Sequence, residues 1–196
     1  MTRLGIIRHA QTQWNVARRI QGREDSPLTP EGEDAARRWA GRLAAFGFSA
    51  LYSSPLGRAM RTALIIGRGL GLDPVPLPGL TEHEFGDWTG RRVDELRGQG
   101  LLAPEEAAGW AFRPPGGEDR REVLLRAWET LDALAASHSG QSVLAVTHEG
   151  VIRALLYALK GRDYLPSEPR ILAPRALHIL RWDGKCPVIE EWNLTL

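Results

Sequence analysis

Cysteine is almost missing from this 196-residue chain. Cys186 stands alone, which excludes an internal disulfide, a cysteine-rich zinc site and a paired-thiol redox motif. Lysine is nearly as scarce: the 25 basic residues include only Lys160 and Lys185 as lysines. Arginine's planar fork of donors suits phosphate oxygens, although a GC-rich genome produces the same bias and accounts for most of the arginines. No segment approaches the ~18 consecutive apolar residues of a membrane span. Met1-Thr2-Arg3-Leu4-Gly5 runs straight into an apolar strand without a long apolar signal region, so a cytoplasmic protein is expected. The net charge of +1 supplies no basic stripe of the kind a nucleic-acid binder carries. Repeats and low-complexity tracts are also missing.

What is present is a steady alternation of strand and helix patterns. With 43% hydrophobic residues, the chain can bury a substantial core and reads as one domain over 1–196. Strands are expected at Leu4–Ile7, Ala50–Tyr52 and Val143–Val146, with a proline-rich edge strand within Asp73–Pro78. Helices are expected at Glu31–Phe46 (Ala35, Trp39, Leu43 and Phe46 on one face), Met60–Leu70, Glu118–Ser137 (Leu124, Trp128, Leu131 and Leu134) and Val151–Leu159. Two last strands, Ala176–Trp182 and Val188–Trp192, are expected to join through the turn Asp183-Gly184-Lys185. From Gly86 to Gly117 the pattern weakens into charged, Gly- and Pro-containing pieces expected to form a small cap without a core layer. The fold class is therefore α/β: a three-layer α/β/α sandwich with a mostly parallel central sheet and a cap-like insertion around 86–117.

The chemistry gathers where strands stop. Ile6-Ile7-Arg8-His9 ends one apolar run, and Val143-Leu144-Ala145-Val146 ends in Thr147-His148-Glu149-Gly150. Ligands of open α/β sheets bind at the carboxyl ends of strands, so these two histidines can converge on one pocket.

Taken in order, Arg8-His9 with Thr12 and Asn15, Ser53-Ser54-Pro55 with Arg58 and Thr62-Ala63, Glu82 before Phe85-Gly86-Asp87-Trp88, and His148-Glu149-Gly150 resemble the motifs of the histidine phosphatase (phosphoglycerate mutase-like) superfamily. The resemblance spans nearly the whole chain. Pro114-Pro115-Gly116-Gly117-Glu118 resembles a stretch of its phosphatase branch, read here as a rigid turn with Glu118 suited to a helix N-terminus. The family usually has glycine where this chain has Ala10. The added Cβ bears on how closely backbone can approach a phosphate, but it removes no catalytic group.

The resemblance implies a phosphate monoester hydrolase, a histidine acid phosphatase-like phosphomonoesterase working through phosphohistidine. His9 would be the nucleophile, Arg8 and Arg58 bidentate donors to the phosphoryl oxygens, His148 a third donor if protonated, and Asn15 a neutral one. Glu82 would protonate the departing alkoxide and then activate water. Its arginine neighbours should lower its pKa, while desolvation and an arriving phosphate dianion should raise it, so substrate binding itself is expected to protonate it. For Asn15, turn capping competes with ligand binding. Phe85 and Trp88 read as packing residues, His83, His138 and His178 as structural or exposed, and Arg18 and Arg61 as solvated.

No cofactor is implied. Two histidines and a glutamate could suggest a metal site, but Arg8 and Arg58 would repel a divalent ion while welcoming phosphate, so no metal is expected. Leu101, Leu102, Trp110 and Phe112 read either as an apolar rim or as the cap's own core. The modest segment from Glu82 to His148 favours hydrolysis over mutase chemistry because a short cap admits water. The alternatives are a cofactor-dependent phosphoglycerate mutase and a non-catalytic phosphate-binding scaffold. The expected partner is a small-molecule phosphate ester, not nucleic acid or membrane, and exposed edges or the apolar cap could support a homodimer.

Overall fold

In the computed structural model, which describes residues 1–183 and 186–196, the first apolar run becomes strand β1 (Thr2–Arg8). Leu4 and Ile6 enter one core and Ile7 the opposite one. Alternation with both faces apolar is the pattern of a strand covered on both sides. Helices α1 (Gln13–Val16) and α2 (Pro30–Leu43), strand β2 (Ala50–Ser53), helix α3 (Gly57–Leu70) and strand β3 (Pro74–Pro76) follow. Short helices α4 (Val93–Gly98) and α5 (Leu102–Ala107) precede the long helix α6 (Arg120–Ser137). Strand β4 (Ser142–Thr147), helix α7 (Glu149–Leu159) and strands β5 (Ala176–Trp182) and β6 (Val188–Thr195) complete the chain. The turn expected at 183–185 falls on residues 184 and 185, outside the described residues.

One sheet forms in the order β3-β2-β4-β1-β5-β6. The strands from β3 to β1 run parallel, whereas β5 is antiparallel to β1 and β6 to β5. The sheet is therefore mixed, because β5 and β6 follow each other closely and such neighbours pair antiparallel. Trp39 and Leu43 of α2 and Ile66 of α3 pack with Leu144 and Val146 on one face. Leu131 of α6 and Leu155 of α7 pack with Val143 and Ala145 on the other. That is the expected three-layer α/β/α arrangement.

Three local expectations are corrected. Helix α3 begins at Gly57, not Met60, because the distant Asp25 carboxylate accepts the N–H groups of Gly57 and Arg58, at 2.5 and 3.2 Å. Helix α6 is capped by Asp119 in a reciprocal capping box with Glu122, so Glu118 lies before the helix. Its buried stripe runs through Val123, Ala127, Leu131 and Leu134, leaving Leu124 and Trp128 at the margin. The segment 86–117 does build a core: Trp88, Leu96, Leu102 and Phe112 pack together, with Ile20, Phe85 and Val93 against them. Widely spaced apolar residues carry no period, but left-handed turns such as Gly100 (φ 72°) fold them onto one another. Among the described residues no helix is long and apolar enough to cross a membrane.

Candidate active site

Strand register builds the site. Arg8 pairs with Thr147 and Ser53 with Val146 across parallel strands. The residues just beyond those ends, His9, His148 and Ser54, are therefore brought side by side. The His9 amide donates to the Thr147 carbonyl at 2.9 Å, and the Ser54 amide to that of Val146 at 2.9 Å. The rings of His9 and His148 lie 5.2 Å apart, centre to centre.

Hydrogen bonds fix the His9 tautomer. Nδ1 lies 2.7 Å from the Ala10 carbonyl, an acceptor, so Nδ1 carries the proton. Nε2 then presents a lone pair, and the Arg58 Nε–H donates to it at 3.2 Å. Burial, with the charges of Arg8 and Arg58 adding to it, holds His9 well below the usual imidazole range, so the ring is neutral. Ala10 donates its amide to Thr62 Oγ at 3.0 Å, and its side chain packs in the α2–α3 core. The Cβ in place of the family's glycine thus points away from the cleft.

The arginines are not equivalent. Arg58 is fully buried, with Nη1 donating to the Glu24 carbonyl (2.7 Å) and Asp25 Oδ1 (3.0 Å), and Nη2 to the Gly22 carbonyl (2.7 Å). Nη1 is thus fully used by the protein, and the Nε–H now on His9 together with the second Nη2 proton is the fork left for a ligand. Arg8 pairs through Nη1 with the exposed Glu149, while its Nε is buried without a partner. Asn15 accepts the Thr12 amide at 3.0 Å in a capping box, and the residue also borders the cleft.

Glu82 sits on the N-terminus of α7. Its carboxylate accepts the His83 amide at 2.8 Å and the Gly150 amide at 3.1 Å. Burial nevertheless raises its pKa, outweighing those amides and the charges of Arg58 and Arg8. Desolvation, one of the two causes expected to raise it, therefore already acts before the arrival of the phosphate dianion that would raise it further. Arg126 of α6 braces the segment, donating to the carbonyls of Gly79, Thr81 and Glu82 at 2.6–3.0 Å.

His148 is completely buried, with Nε2 bonded to Ser54 Oγ at 2.7 Å and Nδ1 without a partner. Burial, then the His9 ring and the charges of Arg58 and Arg8, hold its pKa well below the usual imidazole range, so the ring is neutral here. If Ser54 Oγ donates to Nε2, the unpartnered Nδ1 carries the proton and can donate to an incoming oxygen.

Arg8, His9, Arg58 and Glu82 border one cleft of about 320 Å³, with His148 behind His9. A neighbouring cavity of about 430 Å³ shares Arg8, Glu149 and Arg153 but holds neither His9 nor Glu82, so the smaller one carries the chemistry. Leu102 and Phe112 serve as both wall and cap core, Leu101 is exposed, and Trp110 packs on Tyr164 instead. His83 also borders the cleft, its ring tilted against Phe85 and edge-on to Phe112, and bonded through Nε2 to the Glu118 carbonyl at 2.7 Å. Phe85 likewise reaches the cleft, whereas Trp88 is pure packing. His138 ends α6, facing Tyr52 at 3.1 Å, His178 is buried in β5, Arg61 pairs with Glu33, and Arg18 is exposed. Among the described residues no group of three His, Cys, Asp or Glu side chains could hold a metal ion. Asp25, Ser54, Glu149 and Arg126 belong to the site without having been singled out as such, since each acts through a contact distant in sequence.

A family model described as histidine phosphatase superfamily (branch 1) matches residues 4–195. A probable phosphoglycerate mutase GpmB of Cronobacter sakazakii is 36% identical over 170 residues, covering 82% of this chain and 76% of that one. Among solved structures, YhfR of Bacillus stearothermophilus superposes with a TM-score of 0.90 at 34% identity, covering 100% of this chain and 98% of its own. A mycobacterial glucosyl-3-phosphoglycerate phosphatase, solved with VO3, gives 0.85 at 31% identity over 98% and 99%. Phosphoserine phosphatase of Entamoeba histolytica, a mutant with phosphoserine, gives 0.83 at 26% over 98% and 97%.

Proposed function

The chain belongs to the histidine phosphatase superfamily, branch 1, and from that premise we propose a metal-independent phosphomonoesterase of the histidine acid phosphatase type, with residues 86–117 as the cap of one catalytic domain. The observation that carries this reading is the neutral His9, its Nε2 lone pair facing Arg58 at 3.2 Å in the same cleft as a carboxyl whose burial favours its acid form.

In the proposed reaction the Arg58 Nε–H turns from Nε2 to a phosphoryl oxygen, and Nε2 attacks phosphorus. The phosphorus–oxygen ester bond breaks as the N–P bond forms, and the leaving alkoxide takes the Glu82 proton. Glu82, now a carboxylate, removes a proton from water, which attacks the phosphohistidine and releases phosphate, restoring His9 and the acid. Arg8, Arg58 and His148 disperse charge on the phosphoryl oxygens. Because His9 must be neutral and Glu82 protonated, kcat/KM should peak between the lowered pKa of the one and the raised pKa of the other, a window displaced toward acid.

Acid quenching after mixing with a radiolabelled phosphate ester tests the reading. A labelled chain that His9→Ala abolishes is expected, and turnover without a phosphoenzyme would overturn it. The second reading, a phosphoglycerate mutase, is favoured by the name of the relative from Cronobacter. It requires phosphoryl return to a second hydroxyl of 3-phosphoglycerate primed by a bisphosphate, whereas the hydrolase releases inorganic phosphate.

A further inference from the structure

The mechanism leaves two charges unused. At the end of the cleft beneath the cap, Arg120 of α6 and Arg153 of α7 both border the cavity. The Arg120 guanidinium is clamped between the rings of Phe112 at 4.1 Å and Tyr164 at 4.2 Å, with Nη1 donating to the Gly109 carbonyl at 2.8 Å. Arg153 lies over Tyr157 at 4.9 Å and over the same Tyr164 at 4.7 Å. Neither forms an ion pair among the described residues. Of the carboxylates bordering the cavity, Glu82 is held by amides, Glu149 pairs with Arg8, and Glu106 bonds to neither arginine.

Two guanidinium groups on one tyrosine ring repel each other, and aromatic walls strip away the water that would screen them. Burial, with the like charge of Arg153 adding to it and the more distant charge of Glu106 opposing it, pushes Arg120 down to about 10. Tyr164 supplies no counter-charge, since burial pushes its phenol up and keeps it neutral. Nothing in the hydrolytic steps needs this pair, which borders the same cleft as His9 and Glu82. Val93, Leu102 and Phe85 line the same cleft and offer apolar contact to a carbon skeleton.

We propose that Arg120 and Arg153 form a subsite for a second oxyanion of the substrate, a carboxylate or phosphate on the leaving group, so that preferred esters carry an acidic group besides the phosphate being removed. The proposal rests on the phosphomonoesterase reading and narrows its substrate class. The aromatic clamps hold the two forks before a ligand arrives, which reduces the ordering cost of binding.

The test compares kcat/KM for 3-phosphoglycerate against glycerol 3-phosphate, which exchange a carboxylate for a hydroxymethyl group. A parallel pair is fructose 1,6-bisphosphate against fructose 6-phosphate. The wild type is expected to favour the acidic member of at least one pair by about tenfold or more, and Arg153→Gln or Arg120→Gln to erase most of that ratio. The pair that shows the preference identifies the oxyanion as carboxylate or phosphate. Because each ratio is taken within one variant, partial misfolding lowers both members alike. Ratios near one in the wild type, or ratios unmoved in both variants, overturn the subsite. Titration calorimetry of the His9→Ala chain with the same four esters reads the ratios as Kd. Absence of hydrolysis would therefore reject the phosphomonoesterase reading while the subsite is still decided by binding.

Discussion

Arg58 and Glu82 pose the same question at the scale of one side chain: what fixes a charge, or its absence, inside a buried site. For Arg58 the answer is Asp25 and the carbonyls of Gly22 and Glu24, which hold the guanidinium with Nε aimed at His9. Replacing Asp25 with Ala leaves a buried charge short of its counter-ion and two helix amides uncapped. The expected cost is about 1–3 kcal/mol in urea denaturation, with a several-fold rise in KM because Arg58 loses its aim. Unchanged KM would show that Asp25 serves stability alone. For Glu82, Glu82→Gln keeps the shape and loses the transferable proton. The kcat for alkyl esters should fall by roughly 10²-fold or more, while p-nitrophenyl phosphate, whose phenolate leaves without a proton, should lose far less in the phosphorylation step. Equal losses on both substrates in rapid-quench measurements would remove Glu82 from the acid role. Arg8, His9 and His148 were legible in the sequence because each stands where an apolar strand run stops, whereas Arg58 was legible only through the family resemblance. Asp25 was not, because a carboxylate in a charged loop announces nothing until the chain brings it 3.0 Å from Arg58 Nη1.

At the scale of elements, helix ends do the positioning, and their signals were the least readable. Helix α3 has no local side-chain cap, so its periodicity suggested a later start than the tertiary cap from Asp25 gives. Conversely Glu118 looked like a helix-starting acid, yet it binds Arg126 Nε at 2.9 Å and Arg23 Nη2 at 2.9 Å, and Asp119 does the capping. The apolar strands, by contrast, were legible because two covered faces leave hardly any polar residue within them. The N-terminus of α7 shows how tightly an end can be built: a Cβ on Gly150 would lie 2.3 Å from Glu82 Oε1 and 3.3 Å from His83 Cβ. Alanine suits a helix better than glycine. Gly150→Ala should therefore leave the melting temperature within a few degrees of the wild type while displacing the carboxyl and lowering kcat by about tenfold or more. A variant of full activity would mean that Glu82 has room to shift and that its placement is not critical.

At the scale of the whole molecule, four of the five histidines are buried, and His9, His83, His148 and His178 all have lowered pKa values with burial as the largest cause. Each is neutral in the fold but free to protonate in the unfolded chain. The unfolded state therefore binds more protons below pH 6.5, and stability must fall as the solution is acidified through that value. For His178, lowered to about 4, the loss between pH 6.5 and 4 amounts to about 3 kcal/mol. Glu118 extends the decline to lower pH: despite its partial burial, hydrogen bonds and charges from Arg126 and the Arg23 charge lower its pKa, so its contribution is present above 4.5 and lost as pH falls through the folded value. Glu82 opposes it: its raised pKa gives stability that is full below 4.5 and lost as pH rises through the folded value. One carboxyl against four imidazoles leaves the acid side the weaker. Urea midpoints measured from pH 8 to 5 should stay level above about pH 7 and then decline, with His178→Asn flattening part of the slope. Midpoints that hold or rise between pH 7 and 5 would contradict the neutral, buried state of these rings, and with it the uncharged His9 that the proposed nucleophile requires. The same coupling bounds the enzyme from below: the acid-displaced activity window opens where Glu82 is protonated and closes where the fold begins to charge its own interior.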